Sequence, residues 1–129
     1  MPMSTLRLEL FVRDLTGATD FYERVLGFDR AAVHGDGYTV MRMGAVQLDL
    51  QPISHLSDGH PVKPQAGERI GLGIEIVVEV DDVHAVYDRV QAAGWLVARP
   101  LGKRPWGLTD FRVLDPDGRY VRLTSRVQE

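Results

Sequence analysis

Apolar and polar positions alternate over the first strand-sized stretch of the chain. Leu6, Leu8, Leu10 and Val12 interleave with Arg7, Glu9, Phe11 and Arg13, the period-two pattern of a β-strand with one buried face. The period then lengthens. Asp14 offers a helix N-cap, and Leu15, Ala18, Phe21, Tyr22, Val25 and Leu26 recur at helical spacing until Gly27, which suits a left-handed stop. Residues 38–43 and 46–50 flank Gly44-Ala45 and predict a hairpin with a short turn.

The second half repeats this layout. Ile74, Ile76, Val78 and Val80 alternate with Glu75, Val77 and Glu79, and Asp81 or Asp82 can cap the following helix. Val83, Val86, Tyr87, Val90 and Ala93 form the helix stripe, and Gly94 closes it. Asp14 to Gly27 spans thirteen positions, as does Asp81 to Gly94. Inside the helices FYERV (21–25) echoes VYDRV (86–90), two positions out of phase with those anchors. A last hairpin, 109–114 with 119–124, turns at Asp115-Pro116-Asp117-Gly118. The order is therefore β-α-β-β-β, twice, an internal repeat within an α+β fold. Module one covers about 5–51 and module two about 72–126, in a chain whose 129 residues fit a single domain. Between them, residues 52–71 are rich in proline, glycine and polar side chains, and read as a linker with partial lid character.

An apolar fraction of 44% supplies a core, and a formal charge of -3 argues against nucleic acid, which demands a basic footprint. The chain has no cysteine, so disulfides, thiolate zinc sites and cysteine nucleophiles are excluded. The opening MPMSTLRLEL lacks the basic start and apolar region of a signal peptide, and no apolar run reaches the ~18 residues of a membrane span. A cytoplasmic setting without membrane contact is the expectation. Serine-hydrolase elbows, Walker loops and dinucleotide-binding glycine motifs are missing.

Three segments carry a family likeness. LFVRDLTGATDFYERVLGF (10–28) resembles the opening strand and helix of vicinal-oxygen-chelate proteins, the glyoxalase/bleomycin-resistance/dioxygenase superfamily, with their DL…FY…LGF pattern. FRVLDPDGRYVRLTS (111–125) resembles their closing hairpin, and RPWGLTDFRVLDPDG (104–118) is similar to the bleomycin-resistance-type members. The likeness spans roughly residues 5–125. It implies that the two modules form a cup-shaped mixed sheet with helices on the outer face, and that the chain works as a homodimer. The superfamily includes isomerases, ring-cleaving dioxygenases, epimerases, antibiotic-modifying enzymes and non-catalytic antibiotic binders, so fold alone selects no function.

In such a cup the aliphatic face of each strand packs on a helix and the other face lines the interior. The lining is then Arg7, Glu9 and Phe11; Gln47, Asp49 and Gln51; Glu75, Val77 and Glu79; and Asp110, Arg112, Tyr120, Arg122 and Thr124. The resemblance puts the family's four metal-ligand positions near Arg7, Gln47 or Asp49, Glu75, and Arg122. Arginine has no lone pair to give a cation, so two of the four positions are blocked. Arg7, Arg122, Glu75 and Asp49 are instead expected to form an ion-pair network, either wholly satisfied or leaving one arginine free for a ligand carboxylate. Glu9 and Glu79 either attract a cationic ligand or sit at the rim in solvent. Phe11, Tyr120, Trp106 and Trp95 are candidate aromatic walls, with core packing the alternative for Trp95 and a subunit contact for Trp106. His55 and His60 in the loop, and His34 and His84, fall on no family ligand position.

These readings predict a metal-independent small-molecule binding protein of bleomycin-resistance type, taking an antibiotic-like, aromatic or cationic ligand and no cofactor. The alternative is a metal-dependent glyoxalase-like lyase, isomerase or dioxygenase that draws a divalent metal from Glu75, Asp49 and a loop histidine.

Overall fold

The computed structural model describes residues 2–126. The chain divides into two compact units, and the division falls between Ala66 and Gly67, inside the linker. Module one contains β1 (Arg7–Val12), α1 (Leu15–Asp20), β2 (Asp29–Val33), β3 (Thr39–Met43) and β4 (Val46–Pro52). Module two contains β5 (Glu75–Glu79), α2 (Val83–Ala92), β6 (Val97–Lys103), β7 (Thr109–Leu114) and β8 (Tyr120–Thr124). Each module builds one four-stranded mixed sheet, in the orders β1-β4-β3-β2 and β5-β8-β7-β6. The first and last strands of each module pair in parallel and the other neighbours are antiparallel. A parallel pair needs a crossover, and here the helix provides its first leg. The βαβββ repeat read from the alternation is the repeat the chain adopts, in an α+β architecture.

The apolar set of each sheet packs with the helix of the same module. In module one Leu10, Val12, Met41, Leu48 and Leu50 are buried, as are Phe21, Tyr22, Val25, Leu26 and Phe28. Tyr22 meets Phe21 and Phe28 edge-on, with ring centroids 4.9 Å and 5.8 Å away. In module two Ile76, Val78, Phe111, Val113, Val121 and Leu123 are buried with Val83 and Val90, and Tyr87 packs edge-on to Phe111 at 5.0 Å. Leu6, expected on the buried face, precedes β1 and is exposed, because the strand begins one residue later.

The first helix departs from a simple α-helix. After α1 the chain continues as a π-helical turn over Phe21–Val25, where the Leu26 N–H donates to the Phe21 carbonyl at 3.0 Å. The cap explains it. Asp14 caps α1 by accepting from the Gly17 N–H, and Asp82, not Asp81, caps α2 by accepting from the Ala85 N–H at 3.0 Å. Cap to stop is then thirteen positions in module one and twelve in module two, from Asp82 to Gly94. The π turn absorbs the additional residue, as single-residue helix insertions do. Both stops are as expected: Gly27 and Gly94 have φ of 92° and 70°.

The linker is more ordered than its composition implies. A 3₁₀ turn spans Ile53–His55, Leu56 is buried, and the Lys63 ammonium donates to the Leu56 carbonyl at 3.2 Å and to Asp58 at 2.9 Å. Among the described residues no helix is long and apolar enough to cross a membrane.

Because the side chain of Asp82 satisfies an N-terminal N–H of α2, Asp82→Ala is expected to cost about 1 kcal/mol in urea unfolding. Asp81 holds an exposed pair with Arg126 instead, so Asp81→Ala is expected to cost under about 0.5 kcal/mol. Equal losses for the two variants would contradict the assignment of the cap.

Candidate functional site

Register decides which polar side chains share a face. In module one Arg7 is level with Gln47, Glu9 with Asp49, and Phe11 with Gln51. Tyr38, at the mouth of β3, adds a group from a third strand. Its N–H donates to Asp36 Oδ1 in the turn before it, and its hydroxyl lies 2.7 Å and 2.8 Å from the two Glu9 carboxylate oxygens and 2.7 Å from Asp49 Oδ2. A hydroxyl has one proton to donate, so it cannot satisfy two ionised carboxylates at once. Burial raises the Glu9 pKa, the Tyr38 bond opposes the rise, and neighbouring Asp49 reinforces it. The same surroundings push the Tyr38 hydroxyl far above its usual range, burial first and the Glu9 and Asp49 contacts after it.

Asp49 is buried, and Gln47 Nε2 donates to both of its oxygens at 3.1 Å. Gln51 reaches Glu9 at 3.4 Å. Arg7 is largely exposed and stands 3.7 Å from Glu9 and 3.8 Å from Asp49, longer than a hydrogen bond. Glu9 is exposed on this face and is tied to the Tyr38 hydroxyl, with the buried Asp49 beside it.

In module two Glu75 is level with Tyr120, Val77 with Arg122, and Glu79 with Thr124; across β7, Arg112 is level with Arg122 and Asp110 with Thr124. Arg122 Nε donates to Glu75 Oε1 at 2.7 Å. Asp110 is fully buried and takes its shortest contact, 2.8 Å, from Arg104 Nε. Arg112 Nη2 stands 3.6 Å from the other Asp110 oxygen, and its guanidinium carbon lies 5.8 Å from the centre of the Tyr120 ring. Burial works against the Arg112 charge, but the Tyr120 side chain, Asp110 and Glu75 together outweigh it and raise its pKa. The expected four-membered network of Arg7, Arg122, Glu75 and Asp49 thus takes the form of ion pairs made within each module.

The remaining candidates are more scattered. Glu79 is exposed at the end of β5, and Trp106 is half-exposed in the turn between β6 and β7. Phe11 is half-buried beside Gln51. Trp95 donates its indole N–H to the Leu114 carbonyl at 2.9 Å, a structural bond. His55 contacts Gln51 at 3.1 Å, and His60 Nδ1 accepts from the Val62 N–H. Two members of the clusters, Tyr38 and Arg104, were not among the expected site residues. Tyr38 opens the stretch read as a hairpin strand and lies just before β3, and Arg104 sits in the turn that follows β6.

A family model described as the Glyoxalase/Bleomycin resistance protein/Dioxygenase superfamily matches residues 5–123. The chain belongs to this superfamily. Among relatives of this glyoxalase-superfamily chain, a probable lactoylglutathione lyase from Vibrio cholerae serotype O1 is 29% identical over 128 residues, covering 95% of this chain and 91% of the relative. The crystal structure of TioX from Micromonospora sp. ML1 superposes with a TM-score of 0.73 at 27% identity, covering 97% of this chain and 100% of that one. A lactoylglutathione lyase from Agrobacterium tumefaciens shares the fold, with a TM-score of 0.71 at 22% identity over 96% of this chain and 94% of that one.

The donor set can be tested against the divalent metal of catalytic superfamily members. At the positions the resemblance assigns to ligands, Glu75 is held by Arg122, and Asp49 is held by Tyr38 and Gln47 with Arg7 nearby. Guanidinium groups supply charge of the wrong sign and no lone pair. Among the described residues no three histidine, aspartate or glutamate side chains converge in a way that could hold a metal ion. These residues do not fit the metal.

A raised carboxyl pKa means that the folded chain holds the Glu9 proton more tightly than the unfolded one. The stabilisation it brings is complete below the ordinary glutamate pKa and is lost as pH rises through the folded value. Glu9→Gln mimics the protonated acid, so its Tm relative to wild type is expected to climb as pH rises from the ordinary glutamate range through the folded value. A Tm difference independent of pH would show that Glu9 titrates normally.

Proposed function

We propose that this chain is a metal-independent small-molecule binding protein of bleomycin-resistance type, working without a cofactor. The ligand is antibiotic-like, aromatic or cationic, with Tyr120 and Trp106 of module two as walls and the charged cluster of that module as polar anchors, the usual composition of a small-ligand site. Family resemblance supplies the expectation of a homodimer in the cytoplasm. The observation that carries the reading is the Arg122–Glu75 bond of 2.7 Å, which commits a carboxylate at a family ligand position to a guanidinium. The lyase reading, to which the name of the Vibrio cholerae relative points, requires that same carboxylate on a metal.

Calorimetric titration of chelator-free protein with Ni²⁺ and Zn²⁺ separates the two. No stoichiometric uptake is expected. One metal per chain, abolished by Glu75→Gln, would overturn the proposal in favour of metal-dependent chemistry. In parallel, a thermal-shift series with an aromatic cation (proflavine), an aromatic acid (2-naphthoate) and a neutral aromatic (2-naphthamide) should raise Tm for at least one compound. Saturation at about a hundred times Kd corresponds to about 2.7 kcal/mol of stabilisation. A flat response to all three would remove small-molecule binding as the function.

A further inference from the structure

One face of module two carries a line of like charges. The cross-strand register aligns Val77, Arg122, Arg112 and Arg99 in a single row over β5, β8, β7 and β6. Residues level with one another on neighbouring strands project from the same face, so Arg122 and Arg112 stand side by side, an arrangement that is repulsive unless something anionic lies among them, and Arg99 is level with Arg112 at a bulge, with register shifts on both sides of it. The carboxylates of the face are Glu75, Glu79 and Asp110; Glu75 pairs with Arg122, and Asp110 stands 3.6 Å from Arg112. Glu75 takes Arg122 Nε at 2.7 Å. Asp110 is the nearest acid to Arg112, but its closest bond goes to Arg104, outside the row, which donates to Oδ1 at 2.8 Å and to the Asp110 carbonyl at 3.1 Å. Glu79 lies at the end of β5, two strands from Arg112.

The consequence is visible on Arg112. Its Nε is sealed from solvent and makes no hydrogen bond, and the facing Oδ2 of the fully buried Asp110 makes none either. Arg99 is exposed on the outer strand. Tyr120, next to Arg112 on β8, offers an aromatic surface beside the row. Guanidinium groups bind oxyanions through paired N–H donors, and a single oxyanion can bridge two of them.

We infer that the Arg99–Arg112–Arg122 row is the docking point for an oxyanion, a carboxylate or sulfonate, on an aromatic ligand whose ring lies toward Tyr120. This rests on the small-molecule-binding reading and adds the charge of one end of the ligand to it. Arg112 and Arg122 make the direct contacts, and Arg99 adds attraction from the edge strand.

The test uses the whole chain with ¹⁵N-labelled arginine, whose Nε–H signals report each guanidinium, assigned through single Arg→Lys variants. Sodium 2-naphthoate, 2-naphthalenesulfonate, neutral 2-naphthamide and sodium sulfate are titrated at constant ionic strength, which keeps screening equal. The expected result is saturable movement of the Arg112 and Arg122 signals with both aromatic oxyanions, and at least about tenfold weaker binding of 2-naphthamide, as the loss of a charge-assisted contact implies. Arg122→Lys should weaken 2-naphthoate by about tenfold and leave 2-naphthamide unchanged. Should that variant unfold, Arg99→Gln on the exposed strand serves instead, with weaker 2-naphthoate binding and a shallower salt dependence expected. Equal affinity for 2-naphthoate and 2-naphthamide overturns the oxyanion site and leaves small-molecule binding standing. Sulfate that moves the row's signals while no aromatic compound binds upholds the anion site and removes the aromatic ligand. Movement confined to arginines outside the row, such as Arg24 and Arg30, overturns the assignment.

Discussion

The parallel pairing of the first and last strands of each module sets the position of every polar group described above. β1 lies against β4 and β5 against β8 in strict register, and a slip of one residue would exchange the charged face for the aliphatic one. Apolar side chains hold that register. Leu10 and Val12 on β1, and Ile76 and Val78 on β5, are buried on the helix side, so Glu9 and Glu75 are committed to the opposite face. The chemistry of the site is in this sense a by-product of the core. What the polar positions carry is free to vary, while the placement is not.

The two modules use that freedom differently. The middle of the last strand is Asp49 in module one and Arg122 in module two, and their level partners on the first strand are Glu9 and Val77. One module therefore gathers acids around a tyrosine hydroxyl, whereas the other gathers arginines around a buried aspartate. Each solution follows from the cost of an uncompensated buried charge. In module one Tyr38 and Gln47 donate to the buried Asp49, and in module two Arg104 holds Asp110 and Arg122 holds Glu75. Each commits its buried carboxylate to donors of the protein itself.

Much of this was legible in the chain. The alternation at Leu8 to Val12 and at Ile74 to Val80, the capping aspartates and the terminating glycines locate the repeat, because each reports a local physical requirement. The offset between FYERV and VYDRV was also visible, whereas the π-helical turn over Phe21–Val25 shows only in the backbone hydrogen bond from Leu26 to Phe21. Tyr38 and Arg104 were not legible as site residues. The Tyr38 hydroxyl reaches a glutamate twenty-nine residues earlier in the chain, and Arg104 folds back from a turn onto a strand that follows it. Tyr38 marks only the start of a hairpin strand and Arg104 belongs to no periodic pattern, so nothing local singles out either as a partner for those carboxylates. The division of ion pairs between modules was equally hidden, since strand faces can be read from periodicity and the choice of partner cannot.

Position 102 illustrates how far such a choice propagates. A Cβ built on Gly102 would come within 3.2 Å of Arg104 Nη1, so the missing side chain is what lets this guanidinium lie flat against β6. The group has little room to retreat, because Nη2 is bound to the Pro100 carbonyl at 2.6 Å while Nε is bound to Asp110. Adding one methyl group on an outer strand would thus be felt as an electrostatic change and not as a steric one. Displacing the guanidinium by a few tenths of an ångström would loosen its hold on a carboxylate that water cannot reach. A glycine with no functional group of its own in this way sets how much negative charge is left over for its neighbour.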